Sequence, residues 1–160
     1  MKRTQDGFSL IELLIVVAII MIIAAIAIPN FQRSRMAANQ AAAVSACRGI
    51  TSSEVTYLTM YDVGYAPTLA ALGPPAGSGL PTPSAADLVD SYLAAGEKDG
   101  YEFGYMAGSQ DAQGRYETFT LNANPAVLGV TGIAYYYTDQ TFVIRMNMTT
   151  TASVTDSPIQ

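Results

Sequence analysis

Sixteen consecutive residues, from Leu13 to Ile28, contain no polar side chain, and a glutamate, Glu12, stands immediately before them. A carboxylate beside such a run lies in or next to hydrocarbon, where an unpaired charge costs roughly 2.5–3.5 kcal/mol on insertion scales. The run constrains the chain in two ways. It needs an apolar surround, and it needs a cation for Glu12. From Phe8 to Ile28 there are about 21 residues, enough helix to cross a ~30 Å hydrocarbon layer.

Three readings fit an apolar N-terminal segment. A secretory signal peptide has a short core and a small-residue cleavage site behind it. Here the core is long, and Pro29-Asn30 follows it. A signal anchor accounts for the length, but Lys2 and Arg3 on one side against Arg33 and Arg35 on the other give nearly balanced flanks. Neither reading accounts for Glu12. The third is a resemblance. Lys2-Arg3-Thr4-Gln5-Asp6-Gly7-Phe8-Ser9-Leu10-Ile11-Glu12-Leu13 resembles the N-terminus of type IV pilins and the pseudopilins of type II secretion.

The resemblance implies a leader, residues 1–7, removed by a prepilin peptidase between Gly7 and Phe8, with Phe8 then N-methylated. It implies that Glu12 is the charge that guides filament assembly. The amine exposed on Phe8 is a cation, and the Glu12 carboxylate of a neighbouring subunit can meet it. Each charge then cancels a cost the other carries in an apolar bundle, and a slipped neighbour leaves both unpaired. Residues 8–28 become the membrane-spanning and filament-core segment. The implied partners are further copies of the chain, the peptidase, an inner-membrane platform protein and a cytoplasmic assembly ATPase. The implied location is the inner membrane as a single-pass protein, then a filament outside it. The two products, a type IV pilus and a secretion pseudopilus, share this assembly physics; the pilus is favoured because Glu12 is present and no calcium-binding loop is evident.

Pro29 ends the apolar run and lacks a backbone donor, so a kink or break is expected there. Residues 29–64 then read as an amphipathic continuation of the helix, with Val44, Cys47, Thr51, Val55 and Leu58 as the expected buried stripe. Cys47, the one cysteine, is expected to be a small buried hydrophobe, and it excludes an intrachain disulfide. Residues 65–148 form the expected globular part. Gly73-Pro74-Pro75 and Gly77-Ser78-Gly79 mark a loop, with a helical turn at Thr68 to Leu72. Ser84 to Ala95 reads as a short helix capped by Ser84 and burying Leu88, Tyr92 and Leu93. Alternation at Tyr101 to Tyr105 and Arg115 to Leu121, and a hairpin of Ala134 to Thr138 with Thr141 to Met146, gives three or four antiparallel strands. Residues 149–160, polar and rich in threonine, read as a flexible tail. The expected class is α+β, a long N-terminal helix packed on a small antiparallel sheet, which is also what the pilin resemblance implies.

Charge narrows the function classes. Net charge is −5, and beyond Gly49 three basic residues face eleven acids. Such a surface repels phosphate, so strong nucleic-acid binding is not expected. Histidine is absent, which removes imidazole-based triads and metal sites. No dense run of oxygen ligands suggests calcium, and no cofactor motif is seen. Asp87, Asp90, Glu97, Asp99 and Glu102 cluster in sequence, which keeps a membrane-anchored enzyme or binding module as a minor alternative; a solvated acidic face is the simpler account. The Tyr135-Tyr136-Tyr137 run reads as strand packing, since neighbours in a strand point to opposite faces.

Overall fold

A computed structural model describes residues 8–159. Helix α1, Leu10–Tyr61, is 52 residues long and continues through Pro29. It contributes to two compact units, which divide between Arg35 and Met36.

Among the described residues, the first unit is the helix from Leu10 to Arg35, with Phe8 and Ser9 ahead of it. Its large apolar side chains, from Leu10 to Ile28, are exposed. This stretch is long and apolar enough to cross a bilayer.

The second unit has a core. Ala43, Cys47, Ile50 and Tyr57 of α1 are buried with Leu72, Leu93, Tyr101, Phe119 and Leu121 from the rest of the unit. The helix therefore presents a face at spacings of four, three and seven, which brings the residues to one side. The expected stripe was partly misplaced. Cys47 and Thr51 are buried, but Val55 and Leu58 are exposed, and Ile50, Glu54 and Tyr57 take the inner positions. A stripe of small and polar residues does not announce itself by hydrophobicity. Gly49 stays within the helix, facing open space.

Helix α1 ends as expected near Tyr61. Asp62 and Gly64 adopt positive φ of 52° and 81°, reversing the chain, and a Cβ on Gly64 would collide with the Tyr116 carbonyl. A 3-10 turn, Leu69–Leu72, is capped by Thr68. The helix expected from Ser84 shortens to α2, Ser91–Ala94, capped by Asp90 through a 3.0 Å bond from Leu93 N–H. The reason is tertiary. The N–H groups of Ala86 and Leu88 donate to carbonyls of Ala71 and Leu72, so helical bonds are not formed there. Asp87 also has positive φ. Leu93 is buried and Leu88 packs against the core, whereas Tyr92 faces outward.

Six strands form one antiparallel meander among the described residues: β1 (Glu97–Lys98), β2 (Tyr101–Ala107), β3 (Phe119–Pro125), β4 (Tyr135–Asp139), β5 (Arg145–Asn147) and β6 (Ser157–Pro158). Strand β3 alternates inward Phe119, Leu121 and Ala123 with half-exposed neighbours, the period-2 signature of a sheet covered on one face. Its expected start at Arg115 moves to Phe119 because Tyr116 bridges to Gly64 and Tyr65 instead. Tyr136 is buried, while Tyr135 and Tyr137 are half-buried, as alternation requires. The strand expected from Thr141 begins at Arg145. The Asp139 carboxylate holds Thr141 N–H and Oγ1, and Phe142 turns with positive φ, which extends the turn.

The C-terminal tail corrects its expected flexibility. Asn122 Nδ2 donates to the Ala152 carbonyl at 2.8 Å, and Asn147 Nδ2 donates to Asp156 Oδ1 at 2.8 Å. Ser153 N–H donates to Asp156 Oδ2 at 2.7 Å, and β6 pairs with β5. Polar composition misled because Asn122 and Asn147 of the sheet bond the tail's Ala152 carbonyl and Asp156 carboxylate.

Candidate assembly segment and a buried carboxyl

Two carboxylates on α1 define the chemistry of the chain. Glu12 lies in the first turn of α1, where unpaired N–H groups and the helix dipole favour negative charge. The helix start is marked by Leu13 N–H donating to the Ser9 carbonyl at 3.2 Å. Neither ion pair among the described residues involves Glu12. Phe8 is the first described residue and is 78% exposed. Gly7, the expected cleavage position, lies outside the described residues. Pro29 sits inside α1, where its ring nitrogen has no hydrogen to donate to the helix. Glu12 and Pro29 thus share one helix, and Phe8 stands just ahead of its start, four residues before Glu12 along the chain.

Fully burying one Leu or Ile contributes roughly 1.5–3 kcal/mol. Residues 10–28 hold eleven Leu and Ile side chains in the open, so their dominant physical demand is an apolar surround. A bilayer meets that demand, and so does a bundle of like helices.

Glu54 has no counterpart in the sequence reading. It is fully buried. Its Oε2 accepts from Ala66 N–H at 2.9 Å, while Oε1 has no hydrogen-bond partner. The Tyr105 hydroxyl donates to the Ala66 carbonyl at 2.7 Å. Both backbone groups of Ala66 are therefore held by side chains, one from α1 and one from β2, where the chain returns after the helix. Burial raises the Glu54 carboxyl to about 6, partly offset by the bond from Ala66. The Tyr105 phenol is held well above its usual range, first by burial and then by Glu54. The available signal for Glu54 was its place on the arc of Cys47, Ile50 and Tyr57; a charged residue there breaks an apolar pattern. Burial likewise pushes the Cys47 thiol up to about 12, in keeping with its expected role as a packed hydrophobe.

The acidic residues clustered in sequence divide: Glu97, Asp99 and Glu102 border one groove, and Asp90 serves elsewhere. Asp90 caps α2 and pairs with Lys98 at 2.6 Å. No group of three or more potential metal ligands occurs among the described residues.

Comparison with known proteins bears on the segment that carries Phe8 and Glu12. A family model described as the prokaryotic N-terminal methylation motif matches residues 2–28. The amino-terminal segment carries the prokaryotic N-terminal methylation motif. A fimbrial protein of Pseudomonas aeruginosa is 44% identical over 77 residues, covering 39% of this chain and 50% of that protein. The type IV major fimbrial protein FimA of Dichelobacter nodosus is 72% identical over 32 residues, covering 20% of each. The chain thus spans half or less of the length of these curated relatives. No solved structure gives a significant match. The family model covers residues 2–28, and the α+β architecture rests on the structure described above.

Proposed function

We propose that this chain is a type IV prepilin, a non-enzymatic subunit that polymerises into a pilus filament. The observation that carries this reading is Glu12 in the first turn of an exposed apolar helix, directly behind Gly7-Phe8. A prepilin peptidase cuts after Gly7 and Phe8 is methylated. The subunit waits in the inner membrane on its apolar helix, and a platform protein and ATPase extract it into a bundle of such helices. There the Phe8 amine of one copy neutralises Glu12 of another. Pro29, lacking a donor, is the weak point at which the helix kinks or extends. The relatives are named fimbrial proteins, which supports a pilus over a secretion pseudopilus.

The test is the mass of the amino-terminal peptide of the protein isolated from cells. The expected peptide begins at a methylated Phe8, and Gly7→Val abolishes that product. A mature chain that still begins at Met1 overturns the reading.

A further inference from the structure

Strands β3 and β4 are joined by Ala126-Val127-Leu128-Gly129-Val130-Thr131-Gly132-Ile133. Val127, Leu128, Val130 and Ile133 are 53, 57, 61 and 43% exposed. No charged residue occurs from Ala126 to Thr138, in a unit that otherwise holds most of the chain's acids. An apolar patch of this kind, rimmed by polar residues, marks an interaction site. The loop is also fixed in place. Thr131 N–H and Oγ1 donate to the Val127 carbonyl, Val127 N–H donates to Thr131 Oγ1, and Gly129 N–H donates to the Gly132 carbonyl. Asn39 Nδ2 of α1 donates to the Thr131 carbonyl at 2.9 Å. Aliphatic side chains held outward on an ordered loop lose little further entropy on docking.

The second unit offers a matching surface. Its stretch of α1 buries Ala43, Cys47, Ile50 and Tyr57, and its other side exposes Ala37, Ala38, Ala41, Ser45 and Ser52. Small side chains let another chain approach the helix closely. Arg48 stands on the same line as Ala37 and Ala41, and neither ion pair among the described residues involves it. The aliphatic loop has the opposite rim. Glu97, Asp99 and Glu102 line a groove that Lys98 and Ala126 also border, and Lys98 is paired with Asp90, which leaves the three acids in excess. Glu97 and Glu102 are direct cross-strand partners, and like charges so placed repel. A cation from elsewhere relieves them.

We propose that loop 126–133 of one copy docks on the Ala37–Ala41 face of α1 in a second copy, with Arg48 of the second copy meeting the Glu97–Glu102 groove of the first. The same chain cannot make this contact. Its own loop is tied to Asn39, and Ala37 and Ala41, two residues to either side, point some 200° of helical rotation away. Two different patches on one chain give a heterologous contact, which propagates unless it closes into a ring. The proposal rests on the self-assembly proposed above and names a contact outside the apolar segment.

The test uses the full chain carrying Val130→Cys and Ala41→Cys together, with each single variant beside it. After mild oxidation by copper phenanthroline, the pair is expected to give a ladder of trimers and larger species, and each single variant nothing beyond dimer. Cys47 is buried and stays silent. Val130→Asp is expected to lower filament yield more than tenfold with the processed amino-terminal peptide unchanged. In unassembled, membrane-held chains, Val130→Cys is expected to react fully with a polar maleimide. Filaments without the ladder, or with normal yield in Val130→Asp, overturn the docking and leave the filament reading standing. Protection from the maleimide before assembly means that lipid covers the loop, and overturns it too. A wild-type chain that never self-associates overturns both.

Discussion

One helix carries two carboxylates, and they face opposite situations. Around Glu12 the apolar side chains point outward, and no group of the described residues neutralises the charge. Around Glu54 the chain has closed over its own helix, and Ala66 and Tyr105 complete the surroundings. The first half of α1 depends on other molecules for its apolar surround. The second half has most of its own within the chain. A helix with no domain around it is a means of association, whereas the same helix under a sheet is a means of folding. The difference lies in what surrounds each half, since both are helical throughout.

Changes at three residues separate these roles, and the largest effect belongs to Glu12. Glu12→Ala is expected to leave membrane insertion, processing and the melting of the folded unit unchanged while filaments are lost. Leaving one member of a buried pair uncompensated costs roughly 3–5 kcal/mol, and each 1.4 kcal/mol is tenfold in an equilibrium. Normal filaments in that variant, counted by electron microscopy, would remove the proposed pairing.

Glu54 is expected to act on stability alone. Its carboxyl is raised from 4.5 to about 6 in the folded state, so the folded chain holds that proton more tightly than the unfolded one. The contribution is fully present below pH 4.5, falls as pH rises through about 6, and is flat above. At ~1.4 kcal/mol per unit, the loss amounts to about 2 kcal/mol at most. Glu54→Gln keeps an acceptor for Ala66 N–H and is expected to flatten the slope between pH 4.5 and 6 in denaturant titrations. Glu54→Ala leaves that N–H without its acceptor and is expected to destabilise by about 1–3 kcal/mol. An unchanged slope in the Gln variant would mean that Glu54 does not titrate in this window.

The smallest effect is expected at Asp156, whose carboxylate is held below its usual range, chiefly by the Ser153 N–H. Asp156→Ala is expected to speed hydrogen exchange and proteolysis at residues 149–159 only, leaving filaments and global melting as they were. A fall in global stability would show that the tail belongs to the core.

The legible features were those with local causes. The apolar run, Glu12 and the end of α1 near Tyr61 depend on neighbours in sequence, and so does the alternation of β3. The failures came where distant backbone or side chains intervened. Ser84 did not cap a helix because the following N–H groups bond to residues 71 and 72. Val55 and Leu58 look like core and are not, while Glu54 looks like surface and is buried. The tail looked free because nothing in its composition shows that Asn122 and Asn147 lie within hydrogen-bond reach.

By itself the sequence determined that one segment must be helical, must find hydrocarbon or its like, and must find a positive partner for its single acid. Those demands follow from side-chain transfer energies and a spacing of four residues, and no fold is needed to state them. Only the tertiary structure decided which face of the later helix turns inward, where each strand begins, and that a second acid is enclosed. Those outcomes turn on the competition for backbone hydrogen bonds between residues far apart in the chain, and local pattern carries no record of it.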